Sequence, residues 1–105
     1  MNFEVTQHGV VSKTLTKEIR DFVEEGLRTV RVNWDHEAHR ESFIEVIEDE
    51  LQKRYEDTEI THGKVICDVR NNSASSFKSG TFEMIVQFRK KHAVIDTKLV
   101  FTVTT

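Results

Sequence analysis

The sequence predicts an α+β domain, a mostly antiparallel sheet of about four to five strands with two helices packed on one face. Three observations point there. Apolar residues recur at helical spacing in two separate stretches, over 15–30 and 36–55. From residue 64 onward, alternation of period two takes over and runs to the end of the chain. The 105 residues contain no proline and only 4 glycines; disordered linkers are usually richer in both, so the chain is expected to fold nearly end to end as a single domain over 1–105.

The N-terminal stretch Phe3–Val11 alternates, with Phe3, Val5 and Gln7 on one side and Glu4, Thr6 and His8 on the other. It reads as a strand with a mixed pattern. Ser12 or Thr14 can cap a helix from about Leu15, whose apolar stripe is Ile19, Phe22, Val23, Leu27 and Val30. Gly26 interrupts that stripe near its end. The period then changes: Val30, Val32 and Trp34 alternate with Arg31 and Asn33, which suggests an extended segment.

Asp35 is a good N-cap for a second helix from His36 to about Tyr55, with Phe43, Ile44, Ile47, Leu51 and Tyr55 on one side. Its start is acid-rich, as the helix dipole prefers, and Glu50 with Arg54 is a favourable pair four residues apart. Glu56–Gly63 reads as a polar connection. Lys64–Arg70 is predicted as a strand with Val65, Cys67 and Val69 on one face, followed by a polar Asn/Ser loop from Asn71.

The clearest strand follows, with Phe82, Met84, Val86 and Phe88 alternating with Thr81, Glu83, Gln87 and Arg89. Arg89–His92 is the turn. The final strand, Val94–Val103, places Ile95, Thr97, Leu99, Phe101 and Val103 on one face and Val94, Asp96, Lys98, Val100 and Thr102 on the other. A strand that ends the chain can pair with a neighbour's sheet.

Composition narrows the function classes. With 15 basic and 18 acidic residues the formal charge is -3, which argues against a dedicated nucleic-acid binder. No apolar run approaches the roughly 20 residues of a membrane span, and the N-terminus lacks the pattern of a secretory signal. One cysteine excludes an internal disulfide and fits a reducing compartment, so the expected location is the cytoplasm or a virion. Asn71-Asn72-Ser73 matches a glycosylation sequon, which carries no meaning without secretion.

No catalytic motif, phosphate loop or dinucleotide fingerprint is found, and the reading is of a non-enzymatic chain without cofactor or small-molecule substrate. His36 and His39 sit one helical turn apart, but zinc needs three or four ligands and the neighbourhood offers no others. Cys67 reads as a small buried residue rather than a nucleophile. Trp34 reads as closing the core between sheet and helix. Arg89, Lys90, Lys91 and His92 form the only basic cluster; no aromatic residue interleaves with it to stack on bases, and a charged hairpin tip is what protects adjacent apolar strands from aggregation.

The order of pieces resembles the C-terminal domain of contractile phage tail sheath proteins. The resemblance is carried by Ile19-Arg20-Asp21-Phe22-Val23-Glu24-Glu25-Gly26-Leu27, by Val30-Arg31-Val32-Asn33-Trp34-Asp35, and by the second helix over Glu41–Arg54. It continues through Val65-Ile66-Cys67-Asp68-Val69-Arg70-Asn71-Asn72, Gly80-Thr81-Phe82-Glu83-Met84-Ile85-Val86 and Lys98-Leu99-Val100-Phe101-Thr102-Val103. Nearly the whole chain is covered.

Sheath proteins are several times longer, and they carry linker arms and a proline-containing segment between the last two strands that this chain lacks. Small baseplate wedge proteins share the size and element order, but their Gly-Glu-Arg-Pro segment is not found here. The resemblance implies a small tail-associated assembly protein that interlocks strands with copies of itself or with other tail proteins, and the terminal strands Phe3–Val11 and Val94–Val103 could each add to a neighbour's sheet. Its expected interaction residues are Arg89, Lys90, Lys91 and His92 at the turn, with Leu99, Phe101 and Val103 on the last strand. The alternative is a ligand- or nucleic-acid-binding module using the sheet face opposite the helices.

Overall fold

The computed structural model describes residues 2–9, 13–55 and 59–105. Strand β1 (Asn2–His8) is followed by helices α1 (Lys13–Thr29) and α2 (Glu37–Tyr55), strand β2 (Ile60–Ile66), the short helix α3 (Ala74–Ser79), and strands β3 (Thr81–Lys90) and β4 (Thr97–Thr104). Among the described residues the sheet has four strands in the order β1-β4-β3-β2, all antiparallel. The class is α+β, as the two periodicities require.

Each long strand buries one face. Phe82, Met84, Val86 and Phe88 of β3 and Thr97, Leu99, Phe101 and Val103 of β4 are buried in strict alternation. They meet Leu15, Ile19, Val23 and Leu27 of α1 and Phe43, Ile47, Leu51 and Tyr55 of α2 in one core. Burying such a side chain contributes roughly 1.5–3 kcal/mol each, which is why both helices lie on the same side of the sheet.

Gly26 belongs inside α1 because α2 passes close by. A Cβ there would stand 3.2 Å from Ile47 Cδ1 and 3.6 Å from the Phe43 ring. Trp34 closes the core as expected, with its ring centroid 5.3 Å from that of Phe43 and 4.7 Å from that of Phe82.

Several boundaries differ from the sequence expectation, each for a local reason. Thr14 lies inside α1 rather than capping it, and Ser12 lies outside the described residues, as do Val10 and Val11 of the expected first strand. Val30–Asn33 forms no strand. His36, not Asp35, precedes the first residue of α2: its carbonyl accepts from the Arg40 N–H at 3.1 Å, while Asn33 Oδ1 accepts from the Asp35 N–H.

Strand β2 begins at Ile60, within the expected polar connection, because the ten-residue β3 offers partners as far as Lys90 and Ile60 is fully buried. It ends at Ile66 because Asp68 folds the chain back. The Asp68 carboxylate accepts from the Arg70 N–H at 2.8 Å and binds the Arg70 guanidinium, so Val69 is 74% exposed instead of facing the core.

The expected Asn/Ser loop contains α3, whose first turn is capped by Ser73 and whose end is Gly80 in the left-handed region at φ 83°. Strand β4 starts at Thr97, three residues later than expected, leaving Val94 and Ile95 exposed in the turn. The bend is held by the Asp96 carboxylate, which accepts from Gln87 Nε2 at 2.6 Å and Arg89 Nε at 2.9 Å.

Candidate assembly edge

A sheet can add strands only at its edges, and the strand order puts β1 at one edge and β2 at the other. The two are built differently.

Strand β1 pairs with β4 over all seven of its residues, from Asn2 opposite Thr104 to His8 opposite Lys98, with no register shift. Its other side has no strand partner among the described residues. Asn2, Glu4, Thr6, Gln7 and His8 are exposed, while Phe3 and Val5 are half-buried against the core. The Arg28 guanidinium of α1 stands 5.1 Å from the Phe3 ring centroid, which ties the helix to the start of the strand. Gly9 ends the strand at φ 104°, where a Cβ would come within 2.8 Å of the Asp96 carbonyl oxygen. The strand contains no lysine and no proline, and its pairing has no bulge. Those are the usual devices that discourage addition to an edge.

Strand β2 has such devices. Its pairing with β3 shifts between Ile60 and His62, which twists the edge, and Lys64 is exposed on it. Its outward backbone is also engaged: Glu48 of α2 accepts from the Val65 N–H at 3.4 Å. Past the end of β2, Asn71 Nδ2 donates to the Ile66 carbonyl at 3.3 Å and to the Glu83 carbonyl at 3.0 Å, on the side that faces β3.

Where β2 stops short, Asn72 takes its place beside β3. Its Oδ1 accepts from the Glu83 N–H at 2.7 Å and its Nδ2 donates to the Glu83 carbonyl at 2.8 Å, the two bonds a paired strand residue would make.

The expected interaction residues separate into two groups that the fold does not bring together. Leu99, Phe101 and Val103 are 1%, 0% and 0% exposed. Their strand is not a free edge, since β4 lies between β1 and β3 with both sides paired. The correction follows from alternation: the apolar side of a central strand faces the helices. Of the turn residues, Arg89 is half-buried and bonded to Asp96, while Lys90, Lys91 and His92 are exposed. His92 turns the chain at φ 72°, and the Lys91 N–H donates to the Glu59 carbonyl at 2.9 Å.

The rings of His36 and His39 lie 4.5 Å apart, and among the described residues no group of three or more His, Cys, Asp or Glu is arranged to hold a metal. Burial pushes the Cys67 thiol up to about 12, against the opposing pull of nearby Arg40, so it stays protonated at neutral pH. Arg40 is the residue that sequence reading missed. It is buried, stacks 3.9 Å above the Phe77 ring and donates from Nη1 to the Trp34 carbonyl at 2.6 Å, joining α2, α3 and the segment before α2. The signal was present: Arg40, Phe43 and Ile47 share one helical stripe.

Among the described residues no helix is long and apolar enough to cross a membrane. Comparison with protein-family models, with curated proteins and with solved structures finds no match for this chain.

Proposed function

We propose that this chain is a non-enzymatic assembly protein, of the kind found in contractile phage tails, and that it associates through the open edge of β1. The carrying observation is the contrast between the edges: β1 is regular and has no further strand partner among the described residues, while β2 carries a bulge, an exposed lysine and a side chain on its outward backbone. An incoming strand would gain main-chain hydrogen bonds along β1 at about 0.5–1.5 kcal/mol each, an interaction that needs no pocket and no catalytic group. The resemblance to sheath C-terminal domains supports the same reading, with β1 as the one of the two terminal strands that lies at a sheet edge. The place of action would be the cytoplasm of an infected cell or the virion.

Light scattering across a concentration series tests this. Mass rising with concentration is the expected result; a 12.3 kDa monomer throughout would count against it. The alternative, a ligand- or nucleic-acid-binding module using the sheet face opposite the helices, is disfavoured because Arg89 on that face is already paired with Asp96. It would regain ground if binding were salt-dependent and weakened by charge reversal at Arg89 and Lys90.

A further inference from the structure

An open edge restricts what can add to it. Two copies of one strand that pair antiparallel are related by a two-fold axis normal to the sheet. Such an axis keeps the helix side of one copy beside the helix side of the other. Only registers centred on a residue satisfy it, since a half-step would set a core-facing side chain against an open-face one. For Asn2–His8 the central candidates are Glu4, Val5 and Thr6.

Centring on Glu4 sets two carboxylates against each other at the axis and leaves Gln7 and His8 without partners. Centring on Thr6 leaves Asn2 and Phe3 without partners. Centring on Val5 engages the whole strand: Asn2 opposes His8, Phe3 opposes Gln7, Glu4 opposes Thr6, and Val5 meets its own copy. No like charges face each other, and the half-buried Val5 and Phe3 gain cover on the helix side. The flank of α1 beside β1 carries both signs, with Lys17 bonded to Asp21 at 2.7 Å and Arg20 to Glu24 at 2.9 Å, so two such flanks approach without net repulsion.

We infer that β1 pairs antiparallel with β1 of a second copy in the register centred on Val5, so that Glu4 of each copy faces Thr6 of the other. This deepens the assembly reading and rests on it. The result is one sheet continuous across both copies, with all helices on the same side.

Thr6 tests the register because it is exposed and its partner within the chain is the uncharged Val100. Dimerisation is measured by sedimentation equilibrium for the wild type, Thr6→Glu, Thr6→Lys and the double variant Glu4→Lys/Thr6→Glu. The altered contact occurs twice per dimer, so Thr6→Glu should weaken association by roughly three- to tenfold and Thr6→Lys should tighten it by about as much. The double variant should return towards the wild type, which also shows that lost association in the single variant was not lost folding. Association that ignores these charges, or moves the same way for both Thr6 variants, would overturn the register and leave the assembly reading standing. A wild type that stays monomeric at every concentration would overturn both.

Discussion

The two edges of this sheet face the same physical problem and solve it oppositely. At the β2 edge, a side chain from α2 occupies an outward backbone N–H, Lys64 is exposed, and a bulge spoils the regularity an incoming strand would need. At the β1 edge the ladder is regular from end to end. The difference teaches that an edge is closed by chain outside the strand. Glu48 lies in α2, not in β2. Among the described residues, the α1 side chains beside β1 pair along the helix instead, Lys17 with Asp21 and Arg20 with Glu24.

The largest expected effect separates core from edge. Phe101→Ala should destabilise the fold by about 3–5 kcal/mol in urea unfolding, because the ring is fully buried in a central strand. A small loss would mean that β4 carries its apolar face elsewhere than in the core. Asn72→Ala removes its two bonds to Glu83 and leaves the Glu83 carbonyl only its bond from Asn71 Nδ2 at 3.0 Å; with water able to replace part of the loss, the expected cost is about 1–2 kcal/mol in urea unfolding.

Glu48→Gln should cost less, about 0.5–1 kcal/mol, since the amide oxygen can still accept the long bond from Val65. The smallest effect is one of pH. The hydrogen bond from Arg70 lowers the Asp68 pKa below its ordinary value. A depressed carboxylate stabilises the fold above its unfolded pKa and loses that contribution as pH falls through the folded value, so the loss lies below about pH 4. The Asp68 side chain is 34% exposed, and solvent screening limits the expected contribution to a few tenths of a kcal/mol, visible as the difference between the pH profiles of wild type and Asp68→Asn.

Much of the fold was legible because hydrophobic period decides element type. The core faces of β3 and of β4 from Thr97 onward, and the stripes of both long helices apart from Val30, which lies past the end of α1 and is exposed, fell where alternation and helical spacing put them. What escaped was set by contacts distant in sequence or by polar side chains. Ile60 joins the sheet because β3 is long enough to reach it. Phe77 makes a helix of the Ser-rich loop by finding the core beside Phe82. Arg40 is buried because an aromatic face and a carbonyl await it. Strand order escaped for the same reason: alternation says which face of β4 is buried and nothing about which strand lies beside it. Both terminal strands were therefore read as able to pair with a neighbour, and it is the strand order that leaves β1 at an edge and β4 inside the sheet.

Amide hydrogen exchange at low and high protein concentration tests the contrast most directly. Those amides of Asn2–His8 that are not bonded to β4 should exchange more slowly as concentration rises, while Ile60–Ile66 stays unchanged. Concentration-dependent protection on Ile60–Ile66 instead, or on neither strand, would contradict the assignment of β1 as the open edge.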